Sequence, residues 1–135
     1  MNFNNSTTNL LDLNLPATSE TPEVKCFKDT AKITLHGNLI PSDPQSFFAP
    51  IIRWLQVYSN NYKPQKIDIE LYLTYINGCS EHHLVSFLKK AEELLLKGTD
   101  VHIKCLYEPD DIDMMNWSKD LKLVFKIPVE LIEIN

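Results

Sequence analysis

Residues 66–107, KIDIELYLTYINGCSEHHLVSFLKKAEELLLKGTDVHIKCLY, change hydrophobic period twice: from two, to about 3.6, and back to two. Lys66–Ile76 reads as a strand, with Ile67, Ile69, Leu71, Leu73 and Tyr75 on one face and Asp68, Glu70, Tyr72 and Thr74 on the other. About Ser80–Lys97 reads as a helix with Leu84, Leu88, Ala91 and Leu95 along one stripe, stopped by Gly98. Thr99–Tyr107 is a second strand, with Val101, Ile103 and Cys105 inward and His102 and Lys104 outward. A strand–helix–strand unit of this length favours parallel pairing through a right-handed crossover. The polar alternation adds a second constraint, because a sheet covered on both faces has nearly continuous apolar strands. The expected fold is therefore two-layer α/β, a mixed and mostly parallel sheet with helices mainly on one face.

The rest of the chain extends this pattern. Glu23–Phe27 and Lys32–His36 flank a Lys28–Ala31 turn and predict an antiparallel hairpin. A helix over roughly Asp43–Ser59 follows, with Asp43 as N-cap, Pro44 in the first turn and a stripe of Phe47, Ile51, Trp54, Leu55 and Tyr58. Pro50 is expected to kink that helix or to delay its regular part. A third helix near Asp111–Leu121 and a strand over Pro128–Asn135 complete the order β-β-α-β-α-β-α-β. Residues 1–22, rich in Asn, Ser and Thr, read as a flexible N-terminal arm before a domain at 23–135. Leu10, Leu11, Leu13 and Leu15 give the arm a means of docking on its own domain or on a partner.

Composition narrows the function. A net charge of −5 with interspersed signs lacks the concentrated basic surface that nucleic acid requires. No apolar run is long enough to span a bilayer, and the first residues lack a secretory n-region and h-region. The cysteines Cys26, Cys79 and Cys105 are odd in number and not paired as in metal sites, which suggests reduced thiols in the cytoplasm.

If the strands are parallel, Gly37–Ser42, Asn77–Ser80 and Glu108–Asp111 meet at their carboxyl edge, where α/β folds place ligand and partner sites. The middle loop opens the long helix, whose free N–H groups favour an anion, a capping hydroxyl or a phosphoryl group. Ser80 reads as a helix cap ahead of a phosphosite. Cys79 beside a helix terminus reads as a small polar filler at a serine-like position; the alternative is a thiol enzyme or redox sensor with His82 as base, for which no orienting acid is evident. Cys79, His82 and His83 cannot converge on one metal, because adjacent helical histidines diverge. Glu108, Asp110, Asp111 and Asp113 precede a helix that Asp110 or Asp111 can cap, with partner contact as a second role. Trp54 belongs to the core stripe, and Trp117 is balanced between core and surface. His36, His102, Tyr72 and Thr74 fall on the open sheet face.

Three stretches carry a family resemblance: LHGNLIPSDPQSFFAPIIRWLQVY, IDIELYLTYINGCSEHHLVSFLKKAEELL and LYEPDDIDM. Their order and gaps over about residues 23–135 resemble the SiaC family of bacterial regulatory phosphoproteins. The shared features are a glycine-and-proline lead into an FF…P…W helix, a strand running into an Asn-Thr-Ser-Ser turn, and an acidic segment after a tyrosine. The resemblance implies a STAS-like fold without a cofactor or enzymatic activity of its own. It also implies control by a kinase and a PP2C-type phosphatase, and binding to a diguanylate cyclase that promotes cyclic-di-GMP synthesis and biofilm formation.

The chain departs from this family at the acceptor itself. Asn77 and Ser80 match the turn, but Gly78 occupies the position of the phosphorylated threonine and Cys79 replaces the first serine. Glycine has no hydroxyl to phosphorylate. Either Ser80 accepts the phosphate, or the chain stays binding-competent, or it serves another partner; the second reading is preferred. The expected function is a non-enzymatic regulator, a monomer or weak homodimer. It would bind its signalling partner through Asn77, Gly78, Cys79, Ser80, Glu108, Asp110 and Asp111. A small-ligand module at the same edge is the remaining alternative.

Overall fold

The computed structural model describes residues 9–135 and holds one six-stranded sheet in the order β1-β2-β3-β4-β5-β6. The strands are β1 (Leu13–Leu15), β2 (Glu23–Phe27), β3 (Lys32–Leu39), β4 (Lys66–Ile76), β5 (Asp100–Tyr107) and β6 (Val129–Glu133). The helices are α1 (Pro44–Tyr62), α2 (Gly78–Leu96) and α3 (Ile112–Val124). β1, β2 and β3 pair antiparallel, and β3 through β6 pair parallel. Each parallel strand is added beside the previous one through a helix. When every such crossover is right-handed and steps in the same direction, all the helices fall on one side of the sheet. The two-layer expectation is met.

That side holds the core. Ile67, Ile69, Leu71 and Leu73 of β4, with Val101, Ile103 and Cys105 of β5, are buried against Ile51, Leu55, Leu84, Phe87 and Leu88 from α1 and α2. Each such aliphatic or aromatic side chain contributes on the order of 1.5–3 kcal/mol by leaving water. The thiols of Cys26 and Cys105 are buried, and desolvation pushes their pKa values up to about 12 and about 11.

Several expectations need correcting. Leu13–Leu15, read as part of a flexible arm, is a strand paired to β2, with Leu13 opposite Cys26 and Leu15 opposite Val24. The Trp54 indole donates to the Leu11 carbonyl at 2.9 Å and the Lys28 amide donates to Asp12 at 2.9 Å, fastening this segment to α1 and to the hairpin. Residues 1–8 of the arm lie outside the described residues. α1 runs through Pro50 without a break and buries Phe48, while Phe47 is only half-buried. Tyr75, assigned to the inward face, is 64% exposed. Gly37, at φ +134 beside the irregular end of β3, passes Pro22 so closely that a Cβ would sit 3.2 Å from its Cα. Only glycine fits there without strain.

Candidate functional site

The carboxyl ends of β3, β4 and β5 lead into the three loops expected to meet, and each opens a helix. Asp43 caps α1, accepting from the Ser46 amide at 3.2 Å and the Ser46 hydroxyl at 2.7 Å; these bonds, with His83 nearby, hold its pKa below the usual carboxylate value. Asp111 caps α3 by accepting from the Met114 amide at 3.1 Å. Asn77 caps α2, accepting from the Ser80 amide at 2.9 Å, while its own amide donates to the Leu39 carbonyl of β3 at 3.2 Å.

The expectation for Ser80 is therefore corrected. Ser80 lies in the first turn of α2, fully buried, and its hydroxyl has no hydrogen-bond partner among the described residues. Asn77 does the capping because its side chain lies outside the helix and reaches back to the Ser80 amide. A buried Oγ is also closed to a phosphoryl donor and to a docking surface in this conformation. Gly78 and Cys79, by contrast, are exposed. A Cβ built on Gly78 meets nothing within 4 Å, so the fold does not require glycine there.

The imidazole of His83 is committed to the fold: its Nδ1 donates to the Cys79 carbonyl at 2.9 Å, and its ring stacks on Phe48 with centroids 6.4 Å apart. His82 meets His83 edge-on at 5.7 Å. Among the described residues no three His, Cys, Asp or Glu side chains are grouped to hold a metal ion.

Beside this turn, a cleft of about 500 Å³ opens where β4 outruns its neighbour. β4 is in register with β5 only from Lys66 to Leu71, so Thr74, Tyr75 and Ile76 extend beyond that pairing. Their side faces the β5–α3 loop and the first turns of α3, from which Met114 and Trp117 complete the walls. Glu108, Asp110, Asp111 and Asp113 add four carboxylates to the lining, which contains no Lys, Arg or His. Glu108 is anchored by the Tyr72 hydroxyl, which donates to it at 2.6 Å; that bond raises the Tyr72 pKa. The Trp117 indole donates to Glu81 at 2.8 Å, tying the wall to the first turn of α2. Trp117 is half-buried.

The structure thus gathers Glu108, Asp110 and Asp111 in one cleft and sets Asn77, Gly78 and Cys79 on the neighbouring exposed turn. Sequence reasoning missed Tyr75 and Met114 as parts of this surface and left Trp117 undecided. For Tyr75 the available signal was length: an eleven-residue strand beside one of eight must overhang it somewhere.

The opposite sheet face is polar, and several of its carboxylates are paired. Glu70 binds His36 at 2.7 Å and Lys32 at 3.6 Å, and Asp100 binds His102 at 2.9 Å. No helix among the described residues is long and apolar enough to cross a membrane.

Comparison with known proteins converges on one group. The family model described as "SiaC family regulatory phosphoprotein" matches residues 15–134. An uncharacterized protein of Pseudomonas aeruginosa strain UCBPP-PA14 is 24% identical over 98 residues, 72% of this chain and 76% of that protein. SiaC of Pseudomonas aeruginosa superposes with a TM-score of 0.85 at 18% identity, covering 93% of this chain and all of the other. The crystal structure of the diguanylate cyclase SiaD of Pseudomonas aeruginosa with its activator SiaC gives 0.86 at 19% identity, over 91% and 100% of the two chains. With a match spanning nearly its whole length, the chain belongs to the SiaC family of regulatory phosphoproteins.

Proposed function

We propose that this protein is a non-enzymatic regulator that docks a signalling enzyme on the edge formed by Asn77–Cys79 and the Glu108–Asp111 loop. The partner class is a diguanylate cyclase, by analogy with the SiaC that is described as the activator of SiaD. Docking acts by differential affinity: the edge fits one state of the partner better and shifts its population toward that state.

One observation carries the reading. This edge presents exposed aromatic and acidic groups around an open cleft, while its exposed Cys79 thiol has no hydrogen bond to an imidazole or carboxylate among the described residues. His83 addresses the Cys79 carbonyl, and its ring is held against Phe48. Such a surface is built to be covered. Gly78 removes the hydroxyl on which the family's phospho-switch depends, and Ser80 is buried. The proposed regulator is therefore constitutively binding-competent at this turn.

The test is affinity capture from the native bacterium with the full chain as bait, comparing wild type, Gly78→Thr and Gly78→Glu. Recovery of a diguanylate cyclase by wild type and Gly78→Thr, with loss in Gly78→Glu, supports the reading. Unchanged capture by Gly78→Glu removes this turn from the contact surface.

A further inference from the structure

We infer that the groove between Tyr75 and Trp117 receives an arginine side chain carried on a segment of the partner protein. This rests on the docking reading above and names the chemistry that the edge selects.

The groove has apolar walls: Tyr75, which is 64% exposed, together with Ile76, Met114 and Trp117. Its volume of about 500 Å³ accommodates a long side chain with adjoining backbone. The charge around it has one sign. Glu108, Asp110, Asp111 and Asp113 line it, and none takes part in an ion pair among the described residues. Glu108 is steadied by Tyr72 and Asp111 is occupied as the α3 cap, so Asp110 and Asp113 keep their acceptor capacity for an incoming group. The positive end of α3 eases the repulsion among these carboxylates without supplying a counter-charge.

The form of the charge selects the occupant. A small hard cation needs convergent oxygens, and these carboxylates are not grouped that way. A guanidinium is flat and delocalised: it stacks on an aromatic face while its N–H fork reaches separate carboxylates. Trp117 lines the groove with its ring held in place, since its indole N–H is already fixed on Glu81 at 2.8 Å. An ammonium would gain the charge attraction and lose the stacking.

The probe is N-acetyl-arginine N-methylamide, titrated into the full chain, with the neutral isostere N-acetyl-citrulline N-methylamide as control. Nuclear magnetic resonance follows the Trp117 indole N–H and the Tyr75 amide. The expected result is saturable shifts with the arginine probe only. Binding should weaken about threefold for each of Asp110→Asn and Asp113→Asn, as for exposed ion pairs. Tyr75→Ala should weaken it to a similar extent through lost stacking, and its exposure spares the core. Equal shifts with both probes, no shifts, or unchanged binding in the Asp→Asn variants overturn the inference. A chain that ignores the arginine probe yet loses its captured partner on Gly78→Glu overturns the groove and leaves the docking edge standing. A chain that takes the probe but keeps its partner through Gly78→Glu and both Asp→Asn changes overturns the partner assignment.

Discussion

Two polar surfaces share this sheet, and they differ in how their charges are settled. On the open face Glu70 is bracketed by His36 and Lys32, Asp100 by His102, and Asp68 by Lys66. At the carboxyl edge, Asp110 and Asp113 have no cationic partner among the described residues, and Tyr75 stands in solvent. Exposed ion pairs add only about 0–1 kcal/mol each, so the pairing on the open face is not there chiefly for stability. Its consequence is that a partner covering Glu70, Asp68 or Asp100 must displace internal contacts before making its own. The edge imposes no such competition. A surface left electrostatically incomplete is the stronger functional signal.

The largest effect should come from adding charge and bulk to each surface in turn. Gly78→Glu is expected to weaken partner capture about tenfold or more, since a like charge beside an acidic edge is costly in an interface. His102→Glu on the open face should leave capture within about twofold. If the two variants behave alike, the contrast between the surfaces has no functional content. Next in size is the cap. Asn77→Ala removes the acceptor for the Ser80 amide and should cost about 1 kcal/mol in chemical denaturation. Asp100→Asn, which weakens only the exposed pair with His102, should cost no more than a few tenths.

Much of this contrast could be read from the residues. Period and stop signals place β4, α2 and β5 almost to the residue, and Asp43 with Pro44 marks the start of α1. What could not be read depends on contacts distant in sequence. Leu13–Leu15 looks like any short leucine-bearing stretch until Trp54 and Lys28 hold its flanks. Alternation assigns Tyr75 to a side of the sheet but cannot show that no helix reaches far enough to cover it. Asn77 and Ser80 are both capping residues three apart, and only the direction of the hydrogen bond between them decides which one faces water. The acidic loop was legible as a cap and a candidate contact. Its cleft was not, because Tyr75, Met114 and Trp117 come from separate elements.

A smaller effect tests a bond that joins the two surfaces. Tyr72 rises from the open face, where His36 meets it edge-on at 5.8 Å, and donates to Glu108 at the rim. Tyr72→Phe should lower partner affinity about twofold by freeing Glu108, with little change in folding. The pH dependence has a definite sign: the Tyr72 pKa is raised by its bond to Glu108, so the protonated phenol and its bond persist below the ordinary tyrosine value and are lost only as pH climbs through the raised one. Affinity measured by calorimetry should therefore show no Tyr72-dependent change between about pH 6 and 9. A Tyr72-dependent step inside that range would mean that the two surfaces communicate by another route.

A small change in stability is the most informative about the turn itself. Gly78 is the first residue of α2, faces solvent, has no left-handed backbone angle, and leaves its would-be Cβ without a neighbour within 4 Å. Nothing in the fold demands glycine there. Gly78→Thr should therefore be tolerated and should raise stability slightly, by about 0.4 kcal/mol, because the unfolded chain loses backbone freedom that the folded one does not use. A loss of more than about 1 kcal/mol in denaturant unfolding would show that the turn is packed more tightly than its exposure implies. If the variant is stable, it separates the two surfaces chemically. It places a hydroxyl on the open turn beside the acidic cleft, where a phosphoryl group would add nearly two negative charges. Incubation with a kinase that phosphorylates SiaC proteins should then modify this variant and not the wild-type chain, and phosphorylation should release the partner. Phosphorylation of wild type at Ser80 would require the first turn of α2 to open, and finding it would overturn the assignment of this turn as an unswitched surface.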